Sequence, residues 1–254
     1  MKQFTHAWLA FMAIKRLEDA ILSPDDREYA DSLIKWFKSN KDGVIRGAWY
    51  PDALIKDMAN SHVLKFKPSD EAAKGFKQLP APYLSYRYGE SSPVRKKGFK
   101  VEEHDNLPDR CESLTQSVID HLKVQESEEK GSPVSPTDNQ VALWLFMLSH
   151  YVADAHVPLH CDDRQFSEGK NIHGEMEGEW DDEIERYYKI DASNERFFYD
   201  QYGYPLKDSS KDQEYQSSYL KTVDDELSKR EFTESFGTGN KNVWDFMSAI
   251  CQHS

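Results

Sequence analysis

The sequence of 254 residues has little of several features that would define a protein's class. Its three cysteines, Cys111, Cys161 and Cys251, are too few and too scattered for a disulfide framework. No run approaches the roughly 18–20 apolar residues of a membrane-spanning helix, so no transmembrane segment is predicted. Basic residues are outnumbered, and the formal net charge of −13 argues against duplex DNA as a partner, because binding it requires a basic surface.

Alternating strand patterns are also lacking, whereas helical spacing recurs along the chain, which predicts an all-α fold. With 38% hydrophobic residues, 254 residues can fill the core of a single catalytic domain over 1–254. The predicted helices run from about Thr5 to Leu22, Ser23 to Lys38, Asp109 to Val124, Ser135 to His156, Glu177 to Tyr188, Lys211 to Lys229 and Asn242 to Cys251.

Residues 65 to 106 mix prolines, glycines, aromatics and charges without a period. An irregular stretch of this length inside a compact domain is usually functional or mobile. We therefore predict a long irregular insertion there, which either walls a substrate cleft or forms a surface lobe packed by its own aromatic side chains.

Five residues between positions 150 and 177 are of types that bind Zn²⁺ when deprotonated: His150, Asp154, His160, His173 and Glu177. His150 and Asp154 are four apart and share one face of a helix, and His173 and Glu177 repeat the four-residue step. Pro158 ends the first helix, so that His160 emerges from a turn beside its end. The pattern indicates a multinuclear zinc site, and two metals about 3.5–4 Å apart suit phosphate ester hydrolysis.

The segment around the first pair, ALWLFMLSHYVADAHV, is strongly apolar. An unpaired carboxylate buried there would cost several kcal/mol, and coordination to a cation removes that penalty. Cys161 directly follows His160 and is interpreted as an inert thiol, because the neighbour of a ligand is usually aimed away.

The segment HYVADAHVPLH resembles the H-x3-D-x5-H segment of the zinc-dependent phospholipase C superfamily, which includes the fungal single-strand nucleases with 3′-nucleotidase activity. HGEME resembles the phospholipase pattern H-x3-E, whereas the nucleases carry H-x3-D. FTHAW resembles the superfamily's early histidine, His6, and GAWYPDALIKDMANSH resembles the segment that supplies an aspartate and a histidine, Asp52 and His62.

The resemblance implies a mostly helical domain with three zinc ions and assigns each a ligand set. The first set is Asp52, His62, His150 and Asp154; the second is Met1, His6 and Asp154; the third is His160, His173 and Glu177. Asp154 bridges the first two sets. Two alternatives stay open, Asp57 in place of Asp52 and Asp181 in place of Glu177.

The superfamily's first residue is normally a tryptophan whose amine and carbonyl bind zinc after a signal peptide is removed. Met1 stands at that position here, five residues before His6, and no apolar stretch of signal-peptide length follows it. We expect a cytoplasmic protein if the chain starts as written and a secreted one if Met1 replaces a processed start. Two zinc ions are expected if Met1 is not a ligand.

The resemblance implies hydrolysis of a phosphate ester P–O bond, with a phospholipid head group as the substrate and Asp52 as the residue that orients or deprotonates the attacking water. The alternative is a single-strand-specific nuclease or 3′-nucleotidase acting on nucleotides or single-stranded nucleic acid. A third interpretation, from another class, is a zinc-binding interaction protein without turnover.

Overall fold

The computed structural model describes residues 1–56, 62–64, 106–127, 137–161, 172–229 and 243–254. Helices dominate these ranges, which confirms the predicted all-α class. They are α1 Gln3–Asp19, α2 Pro24–Asn40, α3 Val44–Tyr50, α4 Leu107–Ser127, α5 Asp138–Ala155, α6 Pro158–Cys161, α7 Ile172–Tyr187, α8 Asp212–Gln216, α9 Tyr219–Lys229 and α10 Val243–His253. Short 3-10 turns cover Lys41–Gly43 and Ser209–Lys211, and a π-helical turn, Pro51–Ile55, continues α3.

Two helix starts follow from the chemistry of their caps. The side chain of Ser23 accepts a hydrogen bond from the backbone N–H of Asp26, 3.2 Å away, with Pro24 in the first helical position. Thr137, two residues later than the first residue of the predicted helix, caps α5. Its hydroxyl oxygen accepts from the N–H of Gln140, whose side chain accepts in turn from the N–H of Thr137.

Two other boundaries differ from the prediction. The helix predicted from about Thr5 begins two residues earlier, at Gln3, and the hydroxyl and N–H of Thr5 both donate to Asp181 of α7. The helix predicted from Lys211 to Lys229 is divided into α8 and α9. The break lies at Ser218, whose hydroxyl accepts from the N–H of Lys221 and so caps α9.

Helix α5 lies between two hydrophobic clusters, which places its central residues deep in the protein. Phe146 packs in a cluster with side chains of α1 and α2, including Phe11 and Phe37. One residue on, Met147 packs with Tyr151 in a second cluster that joins α5 to α4 and α10. His150 and Asp154 of α5 therefore sit in the interior, at 0% and 1% exposure.

The prediction contained no strands, and the described residues include one short antiparallel ladder, β1 Ile190–Asp191 with β2 Arg196–Phe197. Its turn is held locally, because the carboxylate of Asp191 accepts hydrogen bonds from Ser193 and Asn194 at 2.6 and 2.7 Å. Two-residue strands are too short to show an alternating pattern in sequence.

The predicted insertion at 65–106 lies outside the described residues except for Asn106. The side chain of Asn106 accepts from the N–H of Asp109 at the start of α4. In the part of the chain that is described, no helix combines the length and the apolar character needed to cross a membrane.

Candidate metal centre

Helix α5 presents its histidine and its aspartate to one point. Nε2 of His150 lies 3.2 Å from Oδ2 of Asp154, as the four-residue spacing predicts. The Nδ1–H of His150 donates to the backbone carbonyl of Ala48 in α3, 2.7 Å away. Because a carbonyl only accepts, this bond puts the ring proton on Nδ1 and leaves the lone pair of Nε2 directed at the cluster.

The four residues of the first predicted set are close together. Oδ1 of Asp52, in the π-helical turn, lies 3.1 Å from Nε2 of His62 and 3.6 Å from Nε2 of His150. The two Nε2 atoms are 2.9 Å apart. The set can therefore converge on one cation through three elements that are far apart in sequence, α3 with its continuation, the segment at His62, and α5.

The second predicted set is also brought together, with Met1 and His6 at the start of α1 facing Asp154. The carbonyl oxygen of Met1 lies 3.1 Å from Nε2 of His6, and that nitrogen lies 3.5 Å from Oδ1 of Asp154. The amine of Met1 is 3.7 Å from the same carboxylate oxygen. It also contacts the carboxylate of Glu177, a contact that the ligand sets did not include.

The third predicted set joins α6 to α7. Nε2 of His173 lies 3.0 Å from Nε2 of His160 and 2.7 Å from Oε1 of Glu177. The expectation that His160 leaves a turn was wrong in one respect, because Pro158 begins the one-turn helix α6, in which His160 lies. The Nδ1–H of His160 donates to the carbonyl of His62 at 2.7 Å, which directs Nε2 towards the cluster.

These donors fit a cationic centre. In His150 and His160 the bonds from Nδ1 leave Nε2 as a bare acceptor, and each faces another ring nitrogen at 2.9–3.0 Å. Among the described residues, the buried Oδ1 atoms of Asp52 and Asp154 have no hydrogen-bond partner. The bare Nε2 acceptors of His150 and His160 and the unpartnered carboxylate oxygens are atoms that a cation among them would bind. Imidazole and carboxylate without thiolate suit Zn²⁺ in an open, reactive site.

The electrostatics of the cluster favour the deprotonated forms of three of its residues, His6, Asp154 and Glu177. Burial, with the neighbouring His150, lowers the pKa of His6 well below its usual value, so the ring stays neutral. For Asp154, burial alone would raise the pKa, but the nearby His150, His6 and His160 bring it well below the ordinary value. Burial would likewise raise the pKa of Glu177, but its contacts with His160 and His173 and with the amine of Met1 bring it well below the ordinary value.

The two alternative ligands, Asp181 and Asp57, and the thiol of Cys161 remain to be placed relative to the centre. Asp181 points to the start of α1, where its carboxylate accepts from the N–H and hydroxyl of Thr5 at 2.8 and 3.1 Å. Asp57 lies outside the described residues. Cys161 is buried and its thiol donates to the carbonyl of Ala155, which agrees with an inert thiol.

Three groups of residues each bring one nitrogen or oxygen atom per side chain within 4.8 Å of one another, and all three groups lie in this centre. They are His6 with Asp52 and His150; His62 with His150 and Asp154; and His160 with His173 and Glu177. All nine predicted residues thus lie in one continuous cluster. Reasoning from spacing missed the two backbone carbonyls, of Ala48 and His62, that orient the imidazoles, because backbone acceptors leave no mark in a sequence.

Comparisons of the chain with protein-family models, with curated proteins and with solved structures find no match. The resemblance to the zinc-dependent phospholipase C superfamily therefore stays a prediction, carried by the sequence motifs.

Proposed function

We propose that this protein is a zinc-dependent phosphoric ester hydrolase that cleaves the head-group phosphodiester of phospholipids. The observation that carries the proposal is the position of Asp154. Its carboxylate oxygens lie within 4 Å of potential metal-binding atoms of the first two ligand sets, namely the amine of Met1, Nε2 of His6 and Nε2 of His150. Towards the third set, Oδ2 of Asp154 lies 3.9 Å from Nδ1 of His160. A carboxylate buried among so many donors is suited to bridging cations.

Three sets of residues would hold the metal: Asp52, His62, His150 and Asp154; Met1, His6 and Asp154; and His160, His173 and Glu177. When bound, zinc lowers the pKa of water and neutralises phosphoryl oxygens, which assists in-line displacement at phosphorus. The number of good ligands is enough for three ions, or for two if the amine of Met1 is not free.

The exposure of the side chains in the centre indicates which of them can meet the substrate. The side chain of Asp52 is 11% exposed and that of His173 is 38% exposed, whereas His150 and Asp154 are fully enclosed. Substrate therefore approaches from the side of Asp52 and His173. We assign to Asp52 the proton of the attacking water, since its carboxylate belongs to the first set and yet its side chain remains 11% exposed, whereas that of Asp154 is enclosed.

The bond changes balance without a co-reactant. The water oxygen bonds to phosphorus, its proton goes to the carboxylate of Asp52, and the P–O bond to the glycerol oxygen breaks. The departing alkoxide takes up the proton held by Asp52, which restores the carboxylate, so the products are a diacylglycerol and a phosphorylated head group.

Two observations favour a phospholipid over a nucleic acid. Glu177 occupies the third set while Asp181 is engaged at α1, so the pattern at the cluster is H-x3-E, the one that resembles the phospholipases. The net charge of −13 also disfavours a polyanionic strand more than a zwitterionic head group.

The test is a hydrolysis panel of phosphatidylcholine, single-stranded DNA, RNA and 3′-nucleotides, run with added zinc and after chelation. We expect zinc-dependent release of phosphocholine, which Asp52→Asn abolishes. Hydrolysis confined to nucleotides or single strands would support the nuclease alternative. Stoichiometric zinc with no hydrolysis of any substrate would support a zinc-binding interaction protein.

A further inference from the structure

Helices α3 and α5 approach each other closely at one glycine. A Cβ atom placed on Gly47 would lie 2.7 Å from Cβ and 2.9 Å from Cδ2 of Phe146. Carbon atoms in contact are ordinarily about 3.5–4.0 Å apart, so no larger residue fits without moving one helix. Glycine inside a helix is less favourable than alanine by about 1 kcal/mol, so helix propensity does not explain its presence.

The residue next to this contact orients a metal ligand. The carbonyl of Ala48 accepts the Nδ1–H of His150 at 2.7 Å, across the same helix–helix contact. A hydrogen bond of this length tolerates little displacement of α3 before it weakens. The bond fixes both the tautomer and the ring orientation of His150, which is the usual part played by the partners of metal-binding histidines.

The same helix also carries a second ligand. The π-helical turn Pro51–Ile55 follows α3 without a break, so Asp52 moves with the helix. Its Oδ1 lies 3.1 Å from Nε2 of His62 and 3.6 Å from Nε2 of His150. The distance between α3 and α5 therefore determines both the orientation of the His150 ring and the position of the Asp52 carboxylate relative to His62 and His150.

We propose that Gly47 is a positioning residue of the metal centre, which holds α3 close enough to α5 for Ala48 to orient His150 and for Asp52 to join the first ligand set. The role of Gly47 towards zinc rests on the proposed function, whereas its role towards His150 is a property of the metal-free chain. The absence of a side chain at residue 47 thus acts on the centre through the backbone.

The chain offers a matched control at Gly43. A Cβ at Gly43 would lie 3.4 Å from Cε2 of the same Phe146 ring, which is an ordinary contact. Gly43→Ala and Gly47→Ala therefore make the same chemical change beside the same ring, and only Gly47→Ala requires the helices to separate.

The experiment measures the ¹⁵N-edited NMR signal of the His150 Nδ1–H in the metal-free protein, assigned by its loss in His150→Gln, and zinc affinity by competition with a chelating dye. In Gly47→Ala we expect this signal to move from its hydrogen-bonded position or to exchange away. Zinc affinity should fall about 10–100-fold, as for other changes around metal ligands. Gly43→Ala should change neither quantity.

A folded Gly47→Ala that keeps the Nδ1–H signal and the zinc affinity of the parent would overturn the proposal, because the glycine would then be a packing residue only.

If Gly47→Ala does not fold, proteins with glycine and with alanine at position 47 are compared in a Phe146→Ala background. The ring is then gone, but the Cβ at 2.7 Å remains, so the signal should still shift relative to Phe146→Ala alone. No shift there would also overturn it. A shifted signal in a protein that hydrolyses no phosphate ester would leave the positioning role standing and remove the proposed function.

Discussion

Replacing Asp154 by asparagine should disturb more of the centre than any other single change. Its carboxylate lies 3.7 Å from the amine of Met1, 3.5 Å from His6, 3.2 Å from His150 and 3.9 Å from His160. Asn has nearly the same shape, so Asp154→Asn removes a buried negative charge without leaving a cavity.

The size of the effect follows from the lost negative charge, taken to lie within about 4 Å of a bound cation. Two unit charges about 4 Å apart interact by about 4 kcal/mol at an effective dielectric constant of about 20. That energy corresponds to about a thousandfold in a binding constant. Because Asp154 belongs to two ligand sets, we expect two zinc ions to bind at least about 100-fold more weakly, after allowing for relaxation and the remaining amide oxygen.

The assay is elemental analysis after dialysis against a fixed free-zinc concentration, together with hydrolysis of phosphatidylcholine. Asp154→Asn should lose about two zinc ions and all turnover. His62→Ala and Glu177→Gln each remove a ligand that was assigned to one set only, and they should lose less metal. His156→Ala is the control. His156 is exposed at the end of the same helix, and its Nδ1–H donates a hydrogen bond to the backbone carbonyl of Val152. Full metal occupancy with near-normal activity in Asp154→Asn would refute the bridging role.

Four further changes test other parts of the centre. Chelation should lower the melting temperature, because buried carboxylates and imidazoles lose their counter-charge; an unchanged value would contradict the zinc assignment. Burial keeps His6 neutral in the folded protein, while the unfolded chain protonates it near pH 6.5, so the unfolded state binds more protons. The metal-free protein should therefore lose stability as pH falls from about 7.5 to about 5.5, and urea unfolding should show a smaller loss in His6→Gln. An uncleaved extension before Met1 turns its amine into an amide and should reduce zinc content, whereas one after Ser254 should not; equal zinc content would exclude the amine as a ligand. Asp181→Ala should lower the free energy of unfolding by about 1 kcal/mol through loss of its bonds to Thr5 and keep the zinc of the third set; loss of that zinc would make Asp181 the ligand.

The parts of the centre that could be predicted from sequence are those built within one helix. His150 and Asp154, and His173 and Glu177, are each four residues apart, and helical geometry alone brings each pair together. The start of α7 was predicted at Glu177 and lies at Ile172, so both members of the second pair share one helix. The four-residue spacing therefore pointed to the second pair, although the predicted helix boundary left His173 outside the helix.

Contacts between elements that are distant in sequence could not be predicted from residue spacing. The bonds from His150 to Ala48 and from His160 to His62 join residues about a hundred positions apart. Their acceptors are backbone carbonyls, which every residue has, so no residue type marks them. Motif resemblance placed Asp52 and His62 in the centre, but the close packing at Gly47 depends on Phe146, and a glycine in a helix carries no sign of its partner.

The choice between Glu177 and Asp181 shows what decides between two residues that a sequence leaves equivalent. They lie one turn apart on the same face of α7, in one acidic run. Helix α1 begins without a side-chain cap of its own, so its first N–H groups need an acceptor from elsewhere. Asp181 supplies that acceptor to Thr5, and the start of the chain then lies against Glu177. Because the start of α1 needs a hydrogen-bond acceptor, Asp181 has a structural role there, and Glu177 is left for the metal centre.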